Sequence, residues 1–349
     1  MPRADARWKR GMPMHWMRKT AIASLAGAFV AALGLAAAPA RAQTPITFSL
    51  DFRALGRHAA WFVALDKGYY KQAGLDVSII SGQGTAQAIQ AIEAGTAQIA
   101  FSDVAGVVAA RANGGSTAKM VSVIYQKAPY AIFSLRDGAN VRSADQLAGL
   151  EIGSGAGSFT QKVIEAFMAQ KGIKTPAKFT NIDPSARVGM LAAKKIPAVE
   201  TFVMTRPGVA KAVGSSNART YLLANDGLVL YSNGIVVRED LIKSKPDVIK
   251  AFIAASLKGW KDMIAKPDEA ADIVVKLNKG LEKDVVLEEI EIVSELVKTD
   301  VTEKKGLGAI DPEAMASSVS LILQTLPGAK LAAGDVYDAT LLPATPVLP

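Results

Sequence analysis

Past residue 42 the chain alternates two patterns: short runs rich in β-branched and aromatic residues, and longer stretches with apolar residues three or four apart. The first pattern marks strands and the second marks helices that bury one face. Ile46–Asp51 reads as a first strand and Ala59–Lys67 as a helix stopped by Gly68. Asp76–Ser81 is a second strand, followed by the turn Gly82–Thr85 and a helix that carries Ile89 and Ile92 on one side up to Gly95. Gln98–Ser102 is a third strand and Val104–Asn113 a third helix. The same order returns later: strand Lys178–Asn181, helix Pro184–Ala193, strand Ile196–Thr201. Strands that alternate with helices predict an α/β fold on parallel sheets, here in two lobes of similar construction. From Pro246 to Gln324 the pattern is helical throughout. In that region Glu288, Glu289, Glu291 and Glu295 are read as the wet side of a helix whose apolar side is Val286, Ile290, Val293 and Val297.

Length supports two lobes, since 349 residues exceed what one core usually holds. Composition closes several chemistries. With no Cys, disulfides, thiolate metal sites and thiol catalysis are excluded, and no cofactor or metal site is expected. The net charge of +8 suggests nucleic acid until its distribution is considered. Residues 1–42 hold seven of the 40 basic residues and one of the 32 acidic ones, which leaves the remainder only +2. No nucleic-acid partner is therefore implied. The same stretch has the parts of a secretory signal: Arg18 and Lys19, an apolar run from Ala21 to Ala38, and Ala40-Arg41-Ala42 as a processing site. Cleavage after Ala42 is expected, giving a periplasmic, monomeric protein whose one remaining histidine is His58.

Candidate chemistry lies in the turns that follow strands, where open α/β sheets place ligands. Arg57, His58 and Trp61 follow the first strand, Asp103 the third, and Ser158 ends a glycine-rich turn, Gly153–Ser158, ahead of the helix Phe159–Gln170. Backbone amides at such a helix start suit an anionic or hydrogen-bond-accepting group. The turn is not a dinucleotide fingerprint, because Ser158 stands where the third glycine belongs, and no P-loop or Gly-x-Ser-x-Gly elbow is present. Tyr125 and Glu200 complete the expected set of ligand contacts.

The runs GRHAAWFVALDKGYYKQAGLDVSII and AIEAGTAQIAFSD, the stretch Asp145–Gly149 before EIGSGAGS, and AVETF resemble the NitT/TauT group of ABC-transporter substrate-binding proteins. That group binds taurine, sulfonates, nitrate and thiamine-precursor pyrimidines, and the resemblance spans roughly residues 46–323. It implies a type II periplasmic-binding-protein fold, a small-molecule ligand held between two lobes, and a permease and ATPase as partners. Crossings between lobes are expected near Tyr130–Ser134 and Tyr221–Asn225, giving lobe 1 as 44–131 plus 222–349 and lobe 2 as 132–221. Trp61, Tyr125, Phe202 and Glu200 favour a heteroaromatic ligand, whereas Arg57 and the glycine-rich turn favour a sulfonate or carboxylate. An enzyme on the same fold, with His58 reacting, is the alternative. Two departures from the group's pattern stand out. Lys195-Ile196-Pro197-Ala198 replaces the usual Gly-x-Val-Asp-Ala, and the cysteine motif of the related fungal pyrimidine synthases has no counterpart.

Overall fold

The computed structural model describes residues 42–155 and 158–349. Its framework is two five-stranded sheets with the same plan. The first orders β2 (Leu75–Ile80), β1 (Thr44–Ser49), β3 (Ile99–Asp103), β10 (Asn233–Arg238) and β4 (Ala118–Val123). The second orders β7 (Lys178–Asn181), β6 (Glu151–Ser154), β8 (Ala198–Phe202), β5 (Tyr130–Leu135) and β9 (Ala218–Leu222). The expectation of all-parallel sheets needs correction. β10 runs antiparallel to both its neighbours, and so does β5. Each is the strand by which the chain enters a sheet after crossing from the other, and that entry reverses its direction. The crossings occupy residues 124–129 and 223–232, so Tyr130–Ser134 belongs to β5 inside the second sheet.

The inner strands β3, β5 and β10 are buried nearly throughout because helices cover both faces of each sheet, whereas the edge strands β2 and β7 keep exposed polar positions. Successive side chains of a strand then feed two different cores. Ile99 and Phe101 enter one cluster while Ala100, between them, enters the other; Ala131 and Phe133 separate from Ile132 in the same way.

The C-terminal helical region clamps the first sheet. Helix Pro246–Ala265, with proline at its start where a missing N–H costs nothing, lies against helix Ala59–Asp66. Contact there is so close that a Cβ on Gly259 would stand 2.3 Å from the carbonyl oxygen of Ala60. No helix among the described residues is long and apolar enough to cross a membrane. The expected leader lies outside the described residues.

Candidate functional site

Between the two sheets lies a cavity of about 850 Å³. Strand ends of both sheets deliver side chains to it. β1 leads into Asp51 and the turn Gly56–His58, β3 ends on Asp103, β5 begins at Tyr130, and β8 contributes Glu200 and Phe202. Among the described residues the buried aspartates, glutamates and arginines are Asp51, Arg57, Asp103, Arg187, Glu200 and Glu289, and all six line this cavity. Burying a charge is costly unless it is paired or hydrogen-bonded, so their collection around one space is not a packing accident.

On the first-lobe wall Asp51 is the hub. Its Oδ2 meets Arg57 Nη2 at 3.4 Å and accepts from Asn233 Nδ2 at 3.1 Å, and its Oδ1 lies 2.7 Å from His58 Nε2. The opposite ring nitrogen, Nδ1, accepts from the Leu55 N–H at 3.1 Å, so Nε2 carries the proton and donates to Asp51. Burial, followed by the charge of Arg57, holds the His58 pKa below its ordinary value and keeps the ring neutral. Burial alone would raise Asp51. Arg57 and the bonds from His58 and Asn233 overcome it and hold the carboxyl at about 2. The Arg57 guanidinium carbon lies 5.7 Å from the Phe52 ring centre and 5.5 Å from that of Phe202, one ring from each lobe. Its Nε, fully buried, has no hydrogen-bond partner.

Asp103 ties both crossings to the end of β3. Oδ1 caps the following helix by accepting from Ala105 N at 2.6 Å, and Oδ2 accepts from Tyr130 and, at 2.9 Å, from Ser232 Oγ. Burial pushes its carboxyl pKa up against these donors. The second-lobe wall centres on Glu200. Its Oε1 accepts from Ser154 Oγ at 2.7 Å, Ser158 Oγ at 3.2 Å and Arg187 Nη1 at 2.9 Å. Arg187 also donates to the carbonyls of Glu200 at 2.8 Å and Ile182 at 3.4 Å. Even with this pairing, burial holds the Glu200 pKa above its usual value.

Of the expected contacts, Arg57, Asp103, Ser158 and Glu200 line the cavity, while His58, Trp61 and Tyr125 lie behind its wall. The stacking role expected of Trp61 is corrected: its ring is fully buried, edge-on to Phe48, Phe101 and Trp260. Tyr125 packs against Phe101 in the same core, and His58 reaches the cavity only through Asp51. In the glycine-rich turn, Ala156 and Gly157 lie outside the described residues; Ser158, which closes it, turns its hydroxyl to a carboxylate.

Glu289 was expected on a wet helix face and is instead 6% exposed. From helix Lys283–Val297 its Oε2 accepts from Gly56 N at 2.6 Å and so holds the turn that carries Arg57. The fit leaves no room for a side chain at Gly56, where a Cβ would stand 2.5 Å from the Val286 carbonyl oxygen. The other three glutamates of that group do not line the cavity.

Two mixed sheets on one plan, joined by two crossings and enclosing a cavity with polar walls, define the type II periplasmic-binding-protein fold. The chain belongs to the NMT1/THI5-like family, whose model matches residues 56–270. The resemblance to NitT/TauT-type substrate-binding proteins read from the sequence agrees with that membership. The riboflavin-binding protein RibY of Chloroflexus aurantiacus is 27% identical, covering 79% of this chain and 82% of RibY. The 4-amino-5-hydroxymethyl-2-methylpyrimidine phosphate synthase THI11 of Saccharomyces cerevisiae is 22% identical over 69% of this chain and 73% of its own. Among solved structures, the alkanesulfonate-binding protein SsuA of Xanthomonas axonopodis pv. citri, bound to MOPS, superposes with a TM-score of 0.65 at 14% identity, covering 88% of this chain and 99% of that one. The family thus holds both binding proteins and enzymes.

Proposed function

We propose that this protein is a periplasmic solute receptor of an ABC import system, holding a small organic compound between its two lobes and delivering it to a separate permease and ATPase. The observation that carries this reading is the gathering of all six buried aspartates, glutamates and arginines around a single inter-sheet cavity. A binder needs polar groups arranged in advance and no reactive one; here four of the six pair with one another, and Asp103 and Glu289 are held by hydroxyls and backbone amides. Bound ligand stabilises a closed arrangement of the lobes about the crossings 124–129 and 223–232. The relative that binds riboflavin supports a heteroaromatic ligand, which Phe52 and Phe202 suit as flat apolar surfaces. Catalysis by His58 is the weaker reading, since both ring nitrogens are engaged and the ring is 0% exposed.

The test is a thermal-shift panel of heteroaromatic, sulfonate and carboxylate compounds, followed by small-angle scattering with the best binder. Ligand at ~100 times its Kd is expected to add about 2.7 kcal/mol of stability and to compact the protein. Tight binding with unchanged dimensions overturns the closing mechanism, and turnover of the bound compound overturns the receptor reading. N-terminal sequencing of exported protein is expected to begin at Gln43.

A further inference from the structure

We infer that the cleft selects a ligand that brings N–H donors or positive charge to its floor, and discriminates against one that brings an anionic group there. This rests on the receptor reading above and names the class of compound that the receptor takes. The buried wall carries four carboxyl groups, Asp51, Asp103, Glu200 and Glu289, against two guanidinium groups, Arg57 and Arg187. Both guanidinium groups face a carboxylate of their own wall, Arg187 fully engaged and Arg57 with its Nε left free. Arg187 is spent on Glu200 and on two backbone carbonyls, and Arg57 faces Asp51 with its guanidinium carbon over the rings of Phe52 and Phe202. His58 adds no positive charge, because its Nδ1 is an acceptor for the Leu55 N–H.

Among the described residues Asp103 and Glu289 have no ion-pair partner. Asp103 accepts from two hydroxyls and an amide, and Glu289 from the amide of Gly56. Burial raises the pKa values of Asp103, Glu200 and Glu289, against hydrogen bonds to all three and the nearby arginine charge at Glu200 and Glu289. Arg53 also lines the cavity but is exposed and screened by water, and its charge on Glu289 is the weakest of the causes that oppose burial there. An anion that takes Arg57 or Arg187 from its carboxylate leaves that carboxylate buried and unpaired, the costly way to break such a pair, and one that uses only the free Nε of Arg57 stands among four carboxyl groups. A neutral or cationic donor meets acceptors without displacing any protein bond.

The experiment uses four single-ring probes on the full-length protein at low salt: 4-aminopyrimidine, benzamidine, benzoate and benzenesulfonate, with Kd from ligand-observed NMR. The first two are expected to bind at least tenfold more tightly than the last two. Asp103→Asn and Glu289→Gln, which remove negative charge at nearly constant shape, are expected to narrow the gap. A variant that fails to fold is set aside, and the wild-type series decides alone. Equal or tighter binding of benzenesulfonate or benzoate overturns the inference while leaving the receptor reading intact. A gap that both folded variants leave unchanged overturns the role of these carboxyls. Failure of all four probes also overturns the inference, and the receptor reading is then judged by its own panel and scattering.

Discussion

The two walls of the cleft each carry one arginine–carboxylate pair, yet the pairs behave oppositely. On the first-lobe wall the carboxylate collects the donors: Asp51 has Arg57, His58 and Asn233, and its pKa is driven down to about 2. Across the cleft the arginine's donors are divided, because Arg187 serves two backbone carbonyls as well as Glu200, and Glu200 stays raised. Arg57 keeps a buried Nε without a partner, whereas the donor bonds of Arg187 stitch its own lobe together. An ion pair beside a ligand cavity is therefore defined by where the remaining donors go, not by the pair itself. The Arg187 pair fixes the shape of its wall. The Arg57 pair leaves a guanidinium between two rings contributed by different lobes.

The largest expected effect tests that division. Glu200→Ala leaves Arg187 buried without its counter-charge and should cost about 3 to 5 kcal/mol in urea unfolding. Asp51→Ala is expected to cost less stability and to weaken ligand binding more, because Arg57 retains the faces of Phe52 and Phe202. Equal losses in both variants would dissolve the comparison. Next in size is Trp61→Phe, for which the packed core predicts a loss of about 1 to 3 kcal/mol with ligand affinity unchanged. Calorimetry showing weakened binding in the folded variant would return Trp61 to the site.

The opposite pKa directions give a third test, with the sign fixed by linkage. Asp51 is depressed from 3.8 to about 2, so its contribution, on the order of 2 kcal/mol, is complete above pH 3.8 and lost as pH falls towards 2. Glu200 is raised above 4.5, so the native state holds a proton that the unfolded chain releases, and its contribution is lost as pH rises through the native value. Asp51→Asn should therefore lie closest to wild type in strong acid. Glu200→Gln should gain on wild type as pH rises from 4.5. Parallel urea profiles for the two variants would break the contrast. The smallest effect is expected at the exposed pair Lys194–Asp137, where Lys194→Ala should leave the unfolding midpoint unchanged.

Much of the framework was legible because strand and helix periods are local. The strand at Lys178–Asn181 and the helix at Phe159–Gln170 fall where the pattern places them. Side-chain direction was not legible at Trp61, since residues 59–64 are all buried and a helix without a wet face gives no phase to read. Nearness in sequence to Arg57 then suggested a shared role, but four steps along the chain the ring points into the core. Glu289 was missed for the opposite reason: its helix does show a stripe, and only a bond to Gly56, 233 residues away, turns this one glutamate inward. Asn233, 182 residues from Asp51, carries no local signal at all.

The interleaved strand order also dictates when each lobe can be completed. All strands of the second sheet lie between Tyr130 and Leu222, so that sheet can assemble from one continuous stretch of chain. The first sheet keeps a gap between β3 and β4 until Asn233–Arg238 arrives to fill it, more than a hundred residues after β4 has been made. The lobe whose strands are synthesised first is thus the last to close. Its edges at β3 and β4 face each other unpaired while about a third of the chain is made, a delay in long-range pairing that the second sheet does not have.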